Sequence, residues 1–214
     1  MSATDYIAQQ RSEYMRKAGW LALRGSPWDK YVFAVLTANT PWDNAVRAFR
    51  KVRGMKRPAQ LELYNALAAE KVVWAGFKSR VLAGVLREGI EWPRLDDREP
   101  QASLQHIVRC CPGLGYCKGA FWWALVEPIH APYGCLDSHM LRGLHGFEDG
   151  ELKRVQAGIG SPRRYDALHR PLERWAKRVG MSVFPTQWAL WDYWRAGRRG
   201  EVPRPSALEE VFDE

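Results

Sequence analysis

The chain has 214 residues, 46% of them hydrophobic, with 32 Lys and Arg against 24 Asp and Glu, a net charge of +8 and a pI near 9.5. That length and apolar content exclude a disordered chain and suffice for one large domain with a real core. No apolar run approaches the roughly 18 residues of a membrane span, and residues 1–20 carry scattered charges where a secretory signal would be apolar.

The basic surplus suits a polyanionic partner such as nucleic acid. A cytoplasmic monomer associated with the nucleoid, with no membrane partner, is expected. The thiols are expected to be reduced there. Cys110, Cys111, Cys117 and Cys135 form no CxxC pair, so they read as small buried hydrophobes and no metal is expected.

Taken in order, the chain reads as helix after helix. "SPWDKYVFAVLTA" offers Ser26 as N-cap, Pro27 at the first helical position and Asp29 three residues after the cap. "TPWDNAVRAF" repeats the pattern with Thr40, Pro41 and Asp43. "PAQLELYNALAAEK" and "VVWAGFKSRVLAGVLREG" keep the helical period, and "PRLDDREPQ" is a polar loop. "ASLQHIVRCC" leads into a glycine hairpin, and a helix of about 12 residues starts at Tyr116. "LDSHMLRGLHG", "SPRRYDALHRPLERWAKRVG" and "PTQWALWDYWRAG" supply further helices. There is no sustained alternation and no Asn-Gly hairpin, so the class is all-α with about ten helices. A single domain over 1–214 is expected. Residues 26–100 and 101–150 would form one lobe with the hairpin at 108–126, residues 1–25 and 150–197 would complete the other, and 198–214 would be a polar tail.

The chemistry concentrates in "CPGLGYCKGAFWWALVEPIHAPYGCLDSHM". Pro112 ends one helix, and Gly113 and Gly115 permit positive φ and close backbone approach. A turn opening a helix presents unpaired N–H groups and the positive dipole end, which suits a phosphate. Lys118 lies in the first turn of that helix. Ala120, Phe121 and Trp122 would desolvate it, lower its pKa and make its amine nucleophilic. Asp137 precedes "SHMLRGL", where a carboxylate can cap a helix and be held in one orientation.

The glycine hairpin, the lysine and the aspartate opening the next helix together resemble the helix-hairpin-helix DNA glycosylase superfamily, the endonuclease III-like enzymes. "CPGLG" is similar to the family's hairpin and "CLDSHMLR" to its catalytic segment. The likeness extends over roughly 26–196 through "YVFAVLTANTPWDNAVRAF", "WAGFKSRVLAGVL" and "TQWALWDYWR". It implies a two-lobed helical fold lacking the iron–sulfur loop of some members. It also implies duplex or single-stranded DNA as partner, and no cofactor beyond a monovalent cation at the hairpin.

Several residue roles follow from the resemblance. Gly113, Leu114, Gly115 and Tyr116 would grip a phosphate, Asn39 would fill the gap left by a flipped base, and His139 would contact DNA or support Asp137. Cys117, Trp42 and Trp122 would line the base pocket. Asp137 would assist excision of a damaged or modified base, and Lys118 would add Schiff-base lyase chemistry. The chain departs from the family at one point: the family lysine, where present, stands two residues after the second hairpin glycine, where this chain has Cys117. A hairpin one residue longer would restore Lys118. "GLGYCKGAF" with "CLDSHM" is also similar to phage-encoded members, some implicated in remodelling modified thymines. Group transfer on modified DNA is therefore one alternative. A non-catalytic DNA-binding module is another, although a mere binder gains nothing from an anion beside the phosphates.

Overall fold

The computed structural model describes residues 1–213. These residues form eleven α-helices and one short 3-10 helix, with no strand among them. Ser2 opens α1 (Ala3–Leu23) and Ser26 opens α2 (Pro27–Thr37), each through a reciprocal capping box with the aspartate three residues on. Next come α3 (Trp42–Arg53), α4 (Gln60–Ala69), α5 (Ala75–Glu88) and α6 (Pro100–Cys110). The hairpin leads into α7 (Tyr116–Val126), followed by α8 (Ser138–His145), α9 (Asp149–Ala157), α10 (Pro162–Val179) and α11 (Val183–Arg199).

The core is organised around α2 and α7, which pack side by side. Every side chain from Tyr31 to Leu36 and from Ala120 to Leu125 is buried. A helix apolar on all sides has to lie inside, so these two become the centre and the amphipathic helices cover them. Helix α1 packs along α11, and α10 also lies on α11.

Two local expectations change. Thr40 does not cap α3; Pro41 takes the N-cap position with no side-chain hydrogen bond. The Thr40 hydroxyl instead accepts from the Lys78 ammonium at 2.8 Å and from the Val73 N–H at 3.2 Å. A buried ammonium and an amide out-compete a helix end that solvent can satisfy.

The expected polar tail is likewise partly core. Leu208–Phe212 forms the 3-10 helix, with Leu208, Val211 and Phe212 buried. Phe212 sits edge-on to Phe33 and to Phe49, each at 5.4 Å. Glu209 is held by Lys17 at 2.6 Å, and both members of the pair are buried. Asp192 fastens the approach to this helix, accepting from Tyr14 Oη at 2.7 Å and from the Ser206 N–H at 2.8 Å.

Candidate active site

A cavity of about 930 Å³ opens between the α2–α3 turn, the first turns of α7 and α8, and α11. Asp137, Lys118, Cys117 and His139 all line it, as do Asn39, Trp42, Gly115 and Tyr116. Asp137 is the N-cap of α8, as its position before "SHMLRGL" implies. Its Oδ1 accepts the Met140 N–H at 2.8 Å. Its Oδ2 accepts no hydrogen bond among the described residues. One oxygen is thus fixed by the helix while the other remains available.

The segment ahead of Asp137 is held from behind. Gln187 on α11 accepts from the Cys135 N–H at 2.8 Å and donates to the Cys135 carbonyl at 3.0 Å. His169 Nε2 accepts the Gly134 N–H at 2.9 Å, and Tyr165 Oη donates to the Gly134 carbonyl. A side chain at position 134 would collide with the Gln187 carboxamide, so this approach needs glycine. Gln187 is a site residue that sequence reasoning missed. Its partner lies 52 positions away, and no local pattern reveals it.

Lys118 stands at the third position of α7 and Cys117 at the second, because the helix begins at Tyr116. Both still face the cavity, Lys118 lying over the Phe121 ring at 5.1 Å. The expected fall in the Lys118 pKa does not occur. Burial does press it down, but Cys135, Cys117 and Asp137 outweigh burial and hold it above its ordinary value. The group is therefore an ammonium at neutral pH.

Lys78 behaves in the opposite way. It is 1% exposed and donates to the carbonyls of Leu36 at 2.9 Å and Ala38 at 2.6 Å, as well as to Thr40. Burial, with Lys118 as a like charge nearby, lowers it to about 8. These bonds clamp the turn carrying Asn39, whose φ of 54° is left-handed. Sequence gave no sign of this clamp, since a lysine inside a helix ordinarily reads as surface.

The hairpin differs in detail from a uniform phosphate grip. Gly113 has a φ of 80°, as its glycine permits. The Leu114 N–H is spent on Cys111 O at 3.2 Å and its side chain is buried, so Leu114 offers no donor. The N–H groups of Gly115, Tyr116 and Cys117 accordingly carry the open end of α7. Trp122 is not at the cavity: it is 2% exposed, stacks on Trp92 at 5.5 Å and donates to Pro27 O at 3.1 Å. Its place in α7 turns it onto α2 and away from the opening.

Trp42 does line the cavity, 5.8 Å from Trp191. His139 packs edge-on to Trp191 at 6.2 Å. Burial lowers its pKa against the pull of Asp137, and Arg198, Arg142 and Arg195 lower it further. Arg195, Arg198 and Arg199 also line the cavity. Trp74, unremarked in the sequence, lines it while 59% exposed and with a φ of 58°, a strained conformation for a bulky residue.

No protein-family model matches the sequence, and no curated protein sequence does. Solved structures do match. The chain is 18% identical to the 8-oxoguanine DNA glycosylase of Thermotoga maritima, with a TM-score of 0.71 over 94% of this chain and 96% of that one. The 8-oxoguanine DNA glycosylase of Methanocaldococcus jannaschii matches with a TM-score of 0.61 and 18% identity over 94% and 88%. An 8-oxoguanine glycosylase/lyase from the same organism, solved with a 15mer DNA containing 8-oxoguanine, matches at 0.60 and 17% over 91% and 89%. The chain has the all-helical fold of these DNA glycosylases.

Proposed function

We propose that the protein is a DNA glycosylase that excises a damaged or modified base after flipping it into the cavity. The observation that carries this reading is the free Oδ2 of a capped Asp137 lining the same cavity as Lys118. The fold it shares with 8-oxoguanine glycosylases supports it. A flipped nucleotide leaves the stack, which places its glycosidic bond against these groups. Cleavage develops positive charge on the sugar, and a fixed carboxylate stabilises that charge without reorganising. The open N–H groups of Gly115 to Cys117 would hold a backbone phosphate. Gly113 O and Leu114 O accept no hydrogen bond among the described residues. These carbonyls would serve as ligands for a monovalent cation, which would add charge to the phosphate grip. Trp74 offers an aromatic face to an unstacked base at the rim.

For lyase chemistry, Lys118 would attack C1′, displace the base and form an imine. It must first lose a proton, because its neighbours hold it charged. That observation favours a second reading, in which Lys118 remains an ammonium against the phosphates and Asp137 directs water to C1′.

The test is a panel of duplex and single-stranded oligonucleotides carrying 8-oxoguanine, uracil, thymine glycol, 5-hydroxymethyluracil or alkylated bases. Borohydride is added to half, and products are read by mass spectrometry. Base release with a covalent adduct on Lys118 establishes the lyase route, and release without one establishes direct hydrolysis. Salt-sensitive binding with no release on any substrate overturns the glycosylase reading and redirects attention to group transfer on modified DNA.

A further inference from the structure

The reaction proposed above uses Lys118 and Asp137 and leaves a second pair of groups in the same cavity unemployed. Cys117 and Cys135 line it with their Sγ atoms 3.2 Å apart. They come from separate elements, the first turn of α7 and the segment leading to α8. Each element is fixed independently, Cys117 by the helix and Cys135 by the paired hydrogen bonds to Gln187. A sulfur–sulfur bond is about 2.05 Å long, so the two sulfurs need to approach by only about 1.1 Å to form one.

The two sulfurs are chemically unequal. A hydrogen bond from Cys135, aided by the Lys118 charge, holds the Cys117 thiol below its usual range against the effect of burial. Cys135 is driven well above its range by the same hydrogen bond and by burial, so it keeps its proton. The start of α7 further favours an anion at Cys117. Cys111, by contrast, is buried and pushed up to about 12, which makes it inert.

We propose that Cys117 and Cys135 form an oxidisable dithiol inside the cleft, with Cys117 the sulfur that reacts with a hydroperoxide and Cys135 the sulfur that resolves it. The Cys117 thiolate attacks one peroxide oxygen, the O–O bond breaks, and a Cys117 sulfenic acid forms. The departing oxygen leaves as hydroxide and takes up a proton. The Cys135 sulfur then attacks the Cys117 sulfur. The S–S bond forms, the S–O bond breaks, and hydroxide leaves with the Cys135 proton as water. Two thiols and one hydrogen peroxide thus give one disulfide and two waters. The bond would tie the turn carrying Lys118 to the segment carrying Asp137.

The reduced full-length protein is treated with graded hydrogen peroxide, quenched, unfolded in denaturant containing N-ethylmaleimide so that every remaining thiol is alkylated, and mapped by peptide mass. The expected result is loss of two of the four alkylatable thiols, recovery of a Cys117–Cys135 linked peptide, and reversal by dithiothreitol. Cys135→Ser should stop at a Cys117 sulfenic acid captured by dimedone, and Cys117→Ser should leave Cys135 alkylatable throughout. The proposal is overturned if both thiols remain alkylatable once Cys110 is oxidised, or if Cys117 links to Cys110 or Cys111. This thiol map needs no enzymatic activity, so it stands or fails independently of the glycosylase reading.

Discussion

The cavity has two walls, each built around a lysine, and the two lysines are solvated in different ways. On the wall formed by the α2–α3 turn, Lys78 is surrounded by neutral acceptors, two carbonyls and a hydroxyl. With no anion to offset burial, it falls to about 8. On the wall formed by the starts of α7 and α8, Lys118 has two thiols and a carboxylate as electrostatic neighbours and rises. A cation solvated by neutral dipoles serves as a clamp, since removing it orphans the backbone. A cation balanced by titratable groups can exchange protons with them. The first wall is scaffold and the second holds the chemistry.

The sharpest break between the walls comes from Asp137→Asn. Asparagine still caps α8, so unfolding should be nearly unchanged. Single-turnover base release should fall about 10²–10³-fold, as when one preorganised charge-stabilising group is removed. Unaltered release would strip Asp137 of its role.

Lys78→Met should do the reverse and mainly cost stability. It removes the ammonium from Leu36 O, Ala38 O and Thr40 Oγ1, leaving Leu36 O without a donor while Thr40 Oγ1 keeps the Val73 N–H, for a loss of about 2 kcal/mol in denaturant unfolding. The pH dependence has a defined sign. Between about 8 and the ordinary 10.5, the unfolded chain holds the Lys78 proton and the folded chain does not. Stability therefore rises with pH across that window, and below it the full cost of burying the charge persists. The wild-type unfolding free energy measured against Lys78→Met should climb from pH 8 to 10; a flat difference would mean that Lys78 is not depressed.

The two walls were also unequally legible in the sequence. The hairpin, the start of α7 and the Asp137 cap are local signals, in which glycine, proline and a capping residue act within a few positions. Most of the helices follow from the same kind of signal, although α1 and α9 were not assigned from it. The scaffold wall depends on contacts 38 to 42 positions apart, from Lys78 to Thr40, Ala38 and Leu36. Local grammar therefore assigned Thr40 to a cap it does not form. The Lys118 shift was read with the wrong sign because only its helix neighbours were weighed, whereas Cys135 and Asp137 arrive from another element. In the last residues, acidic Glu209 and Glu210 disguised a helix that buries Leu208, Val211 and Phe212.

Trp74→Gly refines the account of the scaffold wall. Glycine accepts the left-handed backbone that strains tryptophan, and the exposed ring contributes little burial. Thermal stability should hold or rise by about 1 kcal/mol. If the ring stacks on an unpaired base, DNA affinity should fall roughly tenfold. Lower stability with unchanged affinity would make Trp74 a packing residue of the turn.

The smallest effect belongs to neither wall. Arg198 and Arg199 are exposed at the end of α11 and reach the cavity mouth. Replacing both with alanine removes two sites for phosphate contact. The slope of log affinity against log salt should flatten by about 1 per arginine, and binding should weaken by the same factor on every sequence. Asp137→Asn removes an anion from the same cavity, so it should bind DNA at least as tightly as wild type while releasing base about 10²–10³-fold more slowly. The pair of variants separates backbone attraction from chemistry. If the arginine variant instead slows base release at saturating DNA and leaves the salt slope unchanged, α11 belongs to the chemical wall, and the division between clamp and chemistry has to be redrawn to include it.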